Sequence, residues 1–345
     1  MKNVLVYSLA LVIATAPLLI IPACSKSSND STSDLVGNWA ISDFFDGPAR
    51  SEAVSFIIND TVFVGTGFTN TNTRRFEDFW KYSLDKRYWT QIADFKGGKR
   101  SSAIGFAVNG KGYVGTGYDF DANYKKDMWQ YSPDSNGWAP RNDFGGTARA
   151  DAVAFVVGGN AYVATGYDDS YLKDVWQYNA AADSWTQKAG ILGAKRSKAQ
   201  VFVINDKAYL ISGESNGAAL TDMQVYDQNS DSWTNLRKIT NSSDESYDDE
   251  YTTIARFNGA TFVIDGKGYL VTGESGSLNT RTWEYDPATD TWDEKTTFSG
   301  AARTGAIGFT LKNRGFVVSG RSGTAPFDNM YELQPGVEDD DNDNL

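Results

Sequence analysis

The chain has no histidine, one cysteine and no surplus of basic charge. Without histidine, neither a Ser-His-Asp nor a Cys-His nucleophile can be assembled, and the commonest transition-metal ligand and general base are missing. The lone cysteine, Cys24, permits no internal disulfide. Lys and Arg number 32 against 44 Asp and Glu, a formal net charge of −12. That balance argues against a phosphate-rich partner, so no nucleic acid is expected. Prolines are few (8) against 33 glycines, which implies many tight turns and few rigid spacers. Aromatics are what the chain does have: 10 Trp, 18 Tyr and 19 Phe in 345 residues, enough to fill a sizeable core.

Cys24 has a context. A short basic start, Met1-Lys2-Asn3, is followed by an almost wholly apolar run from Val4 to Ile21 and then by "IPAC". This resembles a bacterial lipoprotein signal, with Pro22 standing where a small residue is more usual. The resemblance implies a signal peptide over 1–23 and a lipid on Cys24. Residues 24–36 then read as lipidated Cys plus a small, polar tether, which places the protein in the cell envelope, on the outer membrane or its periplasmic face. Lipid is the only membrane attachment expected, because no other stretch is long and apolar enough to span a bilayer.

The rest repeats. Arg50, Arg100, Arg149, Arg196, Arg256 and Arg303 each precede a Phe by six residues: Phe56, Phe106, Phe155, Phe202, Phe262 and Phe309. Aromatic-led segments ending in a small residue and Gly come next, such as "GYVGTG" and "AYLISG". A second half-unit puts Trp80, Trp129, Trp176, Gln224, Trp283 and Tyr331 in register, with Trp89, Trp138, Trp185, Trp233 and Trp292 nine residues later. The sixth unit lacks that last tryptophan, and Trp39 supplies it at the other end of the chain, with Arg50 following at the spacing the other units show. Each unit offers four short strands separated by turns, and there is no sustained helical period outside the leader. Six such units predict an all-β ring of six four-stranded blades over 37–335, closed when the Trp39 strand becomes the outermost strand of the last. Residues 336–345, with "VEDDDNDNL", read as an acidic disordered tail.

These residues resemble the kelch family of β-propellers. The carriers are the small-Gly pair after an aromatic strand, the step Asp127-Met128-Trp129-Gln130-Tyr131, and the Trp nine residues on. Two departures stand out: Thr-Gly or Ser-Gly where the family usually has Gly-Gly, and Gln224 in place of Trp. The first is expected to alter the pocket rim.

Antiparallel order places the six Arg, the loops after "TGY" and the inter-unit connections on one face, together with the long loop Tyr118–Asp127 and the insertion within Thr240–Ala255. The Arg ring is read first as structural, since it recurs in every unit; an anion-binding crown is the alternative. Positions that differ between units carry the site reading. Two after each Arg stand Glu52, Ser102, Asp151, Lys198, Asn258 and Gly305, which strand alternation would turn the same way as the Arg, toward the axis. After each small-Gly step come Phe68, Tyr118, Tyr167, Glu214, Glu274 and Arg321. Aromatics facing acids and bases suit a sugar: apolar ring faces stack on Tyr while charged groups bond hydroxyls. The binding candidates are Glu52, Asp151, Lys198, Tyr118, Tyr167, Glu214, Glu274 and Arg321, with no metal and no cofactor. The acidic insertion lacks the spaced Asp and turning Gly of a calcium loop and is read as solvated.

Binding is favoured over catalysis, with a glycan or an envelope protein as partner and the protein itself a monomer. The kelch resemblance also brings in a copper oxidase of sugars, which the absence of His excludes. It brings in a sialic-acid mutarotase, for which Glu52, Glu214 or Glu274 would be the base and Arg321 or a ring Arg the carboxylate holder. A scaffold without small ligand is the third reading.

Overall fold

Short strands follow from the turns that bound them. Asn59-Asp60, Asn109-Gly110, Gly158-Gly159, Asn205-Asp206, Asp265-Gly266 and Lys312-Asn313 all have positive φ. Paired left-handed residues are what a two-residue hairpin requires, and each pair joins the first two strands of a unit. The computed structural model describes Met1 and residues 35–69, 74–121 and 123–340. The leader, the lipid site and most of the tether therefore lie outside the described residues, as does the end of the acidic tail.

Among the described residues, six four-stranded antiparallel sheets form from successive repeats. The second is Ile104–Val108, Lys111–Gly115, Met128–Ser132 and Gly137–Arg141, from innermost to outermost. Innermost strands Val54–Ile58, Ile104–Val108, Val153–Val157, Gln200–Ile204, Ala260–Ile264 and Ile307–Leu311 touch in succession, and the last sheet meets the first. The result is a six-bladed propeller. Its last blade runs Ile307–Leu311, Arg314–Val318, Asn329–Gln334 and, outermost, Asn38–Phe44. Trp39 pairs with Leu333 and Ile41 with Tyr331, with a bulge before Asp43. The closing strand thus sits where the register of the tryptophans puts it.

Two concentric rings of backbone hydrogen bonds stitch the blades together. In the outer ring, the N–H of each Gly in the small-Gly pair donates to the carbonyl of the next blade's Arg: Gly67 to Arg100, Gly117 to Arg149, and so on until Gly320 returns to Arg50 at 2.9 Å. Those glycines have φ between +85° and +108°, and a Cβ on Gly67 would lie 2.7 Å from the Ser51 carbonyl. In the inner ring, the residue two after each Arg donates its N–H to its counterpart in the preceding blade. Ser102 bonds Glu52, Asp151 bonds Ser102, Lys198 bonds Asp151, Asn258 bonds Lys198, Gly305 bonds Asn258 and Glu52 bonds Gly305, all at 2.9–3.1 Å.

All six inner-ring residues are left-handed, with φ from +52° to +63°. This corrects the alternation argument. A left-handed residue breaks the strand, so the Arg and the residue two later do not face the same way. The Arg turns into the blade; the inner-ring side chain turns to the axis.

The insertion is also different from expectation. Its Asp244, Glu245, Asp249 and Glu250 stand in solvent as read, but the segment that carries them is anchored against blades four and five. Asp248 is buried and accepts the N–H groups of Ser242 and Ser243 and the Ser243 hydroxyl, each at 3.0 Å. Tyr251 and Ile254 are buried, and the Tyr251 hydroxyl accepts the Trp292 N–H at 2.5 Å.

Candidate functional site

The six repeated arginines are no more than 1% exposed. In every blade the Nη1 donates to the carbonyl sixteen residues on, from Thr66 in the first blade to Ser319 in the sixth. That carbonyl belongs to the small residue of the small-Gly pair, itself left-handed. These Thr and Ser side chains are buried, so the departure from Gly-Gly does not touch the pocket rim. In blades one to four a carboxylate completes the clamp. Arg100 reaches Asp127 at 2.8 and 2.9 Å, and Asp78, Asp174 and Asp222 do the same for Arg50, Arg149 and Arg196. Trp80, Trp129 and Trp176 donate Nε1 to the same Asp at 2.7 Å, which explains the Asp-x-Trp spacing. Gln224 replaces the indole with its Nε2, 2.9 Å from Asp222. Burial works against the four carboxylate charges, but the Arg hydrogen bonds and charge, with the Trp hydrogen bond in blades one to three and that of Gln224 in blade four, outweigh it and hold all four below the usual range. The ring is structural; none of its members is free to hold a substrate carboxylate.

The rim positions are fixed by a different device. The residue after each ring Arg exchanges two backbone hydrogen bonds with the residue after the small-Gly pair: Ser51 with Phe68, Ser101 with Tyr118, Ala150 with Tyr167, Ser197 with Glu214, Phe257 with Glu274 and Thr304 with Arg321. So the two variable positions of each blade, inner ring and rim, are held beside each other at one end of the axis.

A cavity of about 380 Å³ opens there. Glu52, Ser102, Asp151 and Lys198 line it from the inner ring; Phe68, Tyr118, Tyr167 and Arg321 line it from the rim. Six of the eight sequence candidates are therefore in one place. Glu214 stands behind Lys198, accepting its Nζ at 2.8 Å. Glu274 does not line the cavity; its carboxylate accepts the Thr304 hydroxyl at 2.9 Å. Sequence reasoning missed Arg75, Tyr124 and Thr324, which come from the loops and hairpins beyond the rim; Arg75 and Tyr124 each stand three residues before the clamp Asp and pair with the rim residue of their blade, Phe68 and Tyr118. Arg75 stacks on Tyr118 at 5.1 Å, and Tyr124 packs between Tyr118 and Tyr167.

Charge is not balanced locally. Glu52 accepts the Ser102 hydroxyl at 2.8 Å and lies 3.6 Å from the Arg321 guanidinium. Asp151 is raised to about 6 by burial and by the charge of Glu52, with Lys198 pulling the other way. Burial would lower Lys198, but Asp151 and Glu214 outweigh it and raise it. A carboxylate raised above its unfolded value of 3.8 binds more protons folded than unfolded, so it costs stability at neutral pH and stops doing so as pH falls below both values. Asp151→Asn should therefore raise stability at about pH 7 by roughly 1–3 kcal/mol, the gain shrinking toward about pH 5. Denaturant melts at the two pH values check this; a variant less stable at neutral pH would show that Asp151 is structural.

Residues 55–249, more than half of the chain, match the KLHDC2/KLHL20/DRC7 Kelch-repeats domain family. The solved structure of YjhT has a TM-score of 0.70 at 18% identity, with 83% of this chain and 95% of that one covered, a likeness of fold. No curated protein matches the chain. With six blades, a closing strand and the Arg–Asp–Trp clamp in place, this chain belongs to the kelch-repeat family of β-propellers.

Proposed function

We propose that this propeller is a binding module that takes a glycan in its axial cavity, and that it does so from a lipid anchor at the bacterial envelope. The observation that carries the reading is the division of one cavity into two chemistries. Phe68, Tyr118, Tyr124 and Tyr167 provide aromatic faces, and Glu52, Asp151, Lys198 and Ser102 provide hydrogen-bonding floor groups of both signs. A pyranose has that same division, with C–H faces for stacking and equatorial hydroxyls for charged partners. The Asp151 carboxyl, raised by burial and by Glu52 despite Lys198, supports the reading, since strain and misplaced charge concentrate where function needs them. The envelope anchor rests on the basic start, the apolar run and "IPAC" alone.

A carbohydrate thermal-shift screen followed by calorimetry tests this. At least one sugar should bind, and Glu52→Gln and Lys198→Met should each weaken it tenfold or more while leaving the fold intact. If no sugar shifts the melting point and neither variant changes any binding, the cavity is not a glycan site and the scaffold reading takes its place.

A second reading draws on Asp151 itself. Asp151 lines the cavity together with Glu52 and Lys198, and burial and the Glu52 charge raise its carboxyl above the usual range, which suits a group that passes a proton to and from a sugar's anomeric oxygen. Anomer exchange followed by NMR would then run faster than buffer, and Asp151→Asn would abolish the excess.

A further inference from the structure

The axial cavity has a neighbour. A cleft of about 390 Å³ lies between the tops of blades three and four, lined by Tyr167, Asp169, Ser170, Tyr171, Lys195, Ser215 and Asn216. Tyr167 lines both spaces, so they meet at one ring. The aromatic surface does not stop there either. Tyr118, Tyr124, Tyr167 and Tyr171 follow one another at centroid spacings of 5.2, 6.2 and 5.1 Å, leading from the cavity into the cleft.

A chain of polar contacts runs underneath. Lys198 in the cavity bonds Glu214, and the other Glu214 oxygen accepts the Tyr171 hydroxyl at 3.3 Å. The far wall of the cleft is the hairpin Glu214–Ser215 with Ala218–Ala219, whose turn at Asn216-Gly217 is left-handed at both residues. Ser215 and Asn216 of that hairpin, and the exposed Lys195 from the connection that precedes Arg196, line the cleft with hydroxyl-bonding groups.

We propose that the ligand is an oligosaccharide of at least two units, one in the axial cavity and the next stacked over Tyr171 in the blade three–blade four cleft. This inference rests on the glycan reading above. It adds direction and length. One sugar on the axis would leave the cleft's tyrosine and amide unused, whereas a linked second unit meets an aromatic face and polar groups in the same order as the first.

The test compares sugars of different length on the purified propeller: glucose, cellobiose and cellotetraose, and N-acetylglucosamine, chitobiose and chitotetraose, by calorimetry. In whichever series binds, the dimer should bind at least tenfold tighter than its monosaccharide. Tyr171→Ala, and separately Lys195→Met combined with Asn216→Ala, should cut that advantage to threefold or less without weakening the monosaccharide more than twofold. The double variant keeps Tyr171 and its bond to Glu214, so it guards against a disturbed Lys198. Equal affinity for monomer and dimer, or an advantage that survives both variants, overturns the second subsite and leaves the glycan reading standing. Failure of every sugar at every length overturns both.

Discussion

Trp39→Ala will cost about 3–5 kcal/mol of stability, and a chain beginning at Phe45 will not melt cooperatively. Trp39 is fully buried although it precedes the first repeat by a whole strand. Its ring meets Phe298 edge-on at 5.0 Å and Phe262 at 6.0 Å, and its Nε1 donates to the Thr282 hydroxyl at 3.0 Å. Phe262 and Thr282 belong to the fifth blade, so this one side chain joins the closing strand to the blade next door. Deleting the indole leaves a cavity, an unpaired Thr282 hydroxyl and a looser outer edge on the Asn329–Gln334 strand. Deleting the strand bares that edge entirely. Fluorescence-monitored denaturation of both variants decides the matter, and a Trp39→Ala midpoint indistinguishable from wild type would show that closure does not depend on this contact.

The second large effect concerns the clamps. Asp127→Ala should lose about 3–5 kcal/mol, because it strands a buried guanidinium without its carboxylate. Nature has run the milder half of this experiment in the last two blades. Arg281 stands where the first four units have Asp, and Arg256 makes do with backbone carbonyls; burial lowers it to about 9. Asn329 stands there in the sixth blade, giving Arg303 one contact at 2.7 Å, with its Nη2 unpartnered and burial lowering it to about 10. Both remain charged at neutral pH. Asn329→Asp should then add about 1–3 kcal/mol by restoring the two-point clamp, in the opposite direction to Asp127→Ala.

The pH dependence has a definite sign. Asp78, Asp127, Asp174 and Asp222 have folded values below the unfolded 3.8, so their contribution is complete above that value and is lost as pH falls through the folded ones. Asn329→Asp should steepen the acid limb. Equal midpoints for wild type and both variants would mean that the clamps contribute specificity rather than stability.

The architecture was legible because repetition averages out local ambiguity. One Arg-to-Phe spacing is weak, six in register with ten placed tryptophans are not, and the missing strand announced itself at Trp39. The axial membership of Glu52, Asp151 and Lys198 was legible from position, although the reason given for it, strand alternation, was wrong. Only backbone conformation reveals six successive left-handed residues, and Glu, Asp and Lys do not advertise it. Arg75 and Tyr124 escaped because the loop between the rim residue and the clamp Asp varies in length, so that their register shows only when counted back three residues from Asp78 and Asp127. The insertion escaped because its acidic composition masks Tyr251 and Ile254, two apolar anchors at its very end.

The inner ring closes through amide and carbonyl alone, so closure is blind to what hangs from each Cα. Five of its six members are not glycine, and they include an acid, a base, an alcohol and an amide at the same dihedral angles. Any of them can be exchanged for another with little penalty to the assembly. The scaffold thus decouples its own integrity from the chemistry it offers at the centre, leaving five addressable letters that selection, or an engineer, can rewrite one at a time; Gly305 is the exception, since a Cβ there would lie 2.5 Å from the Ser51 hydroxyl.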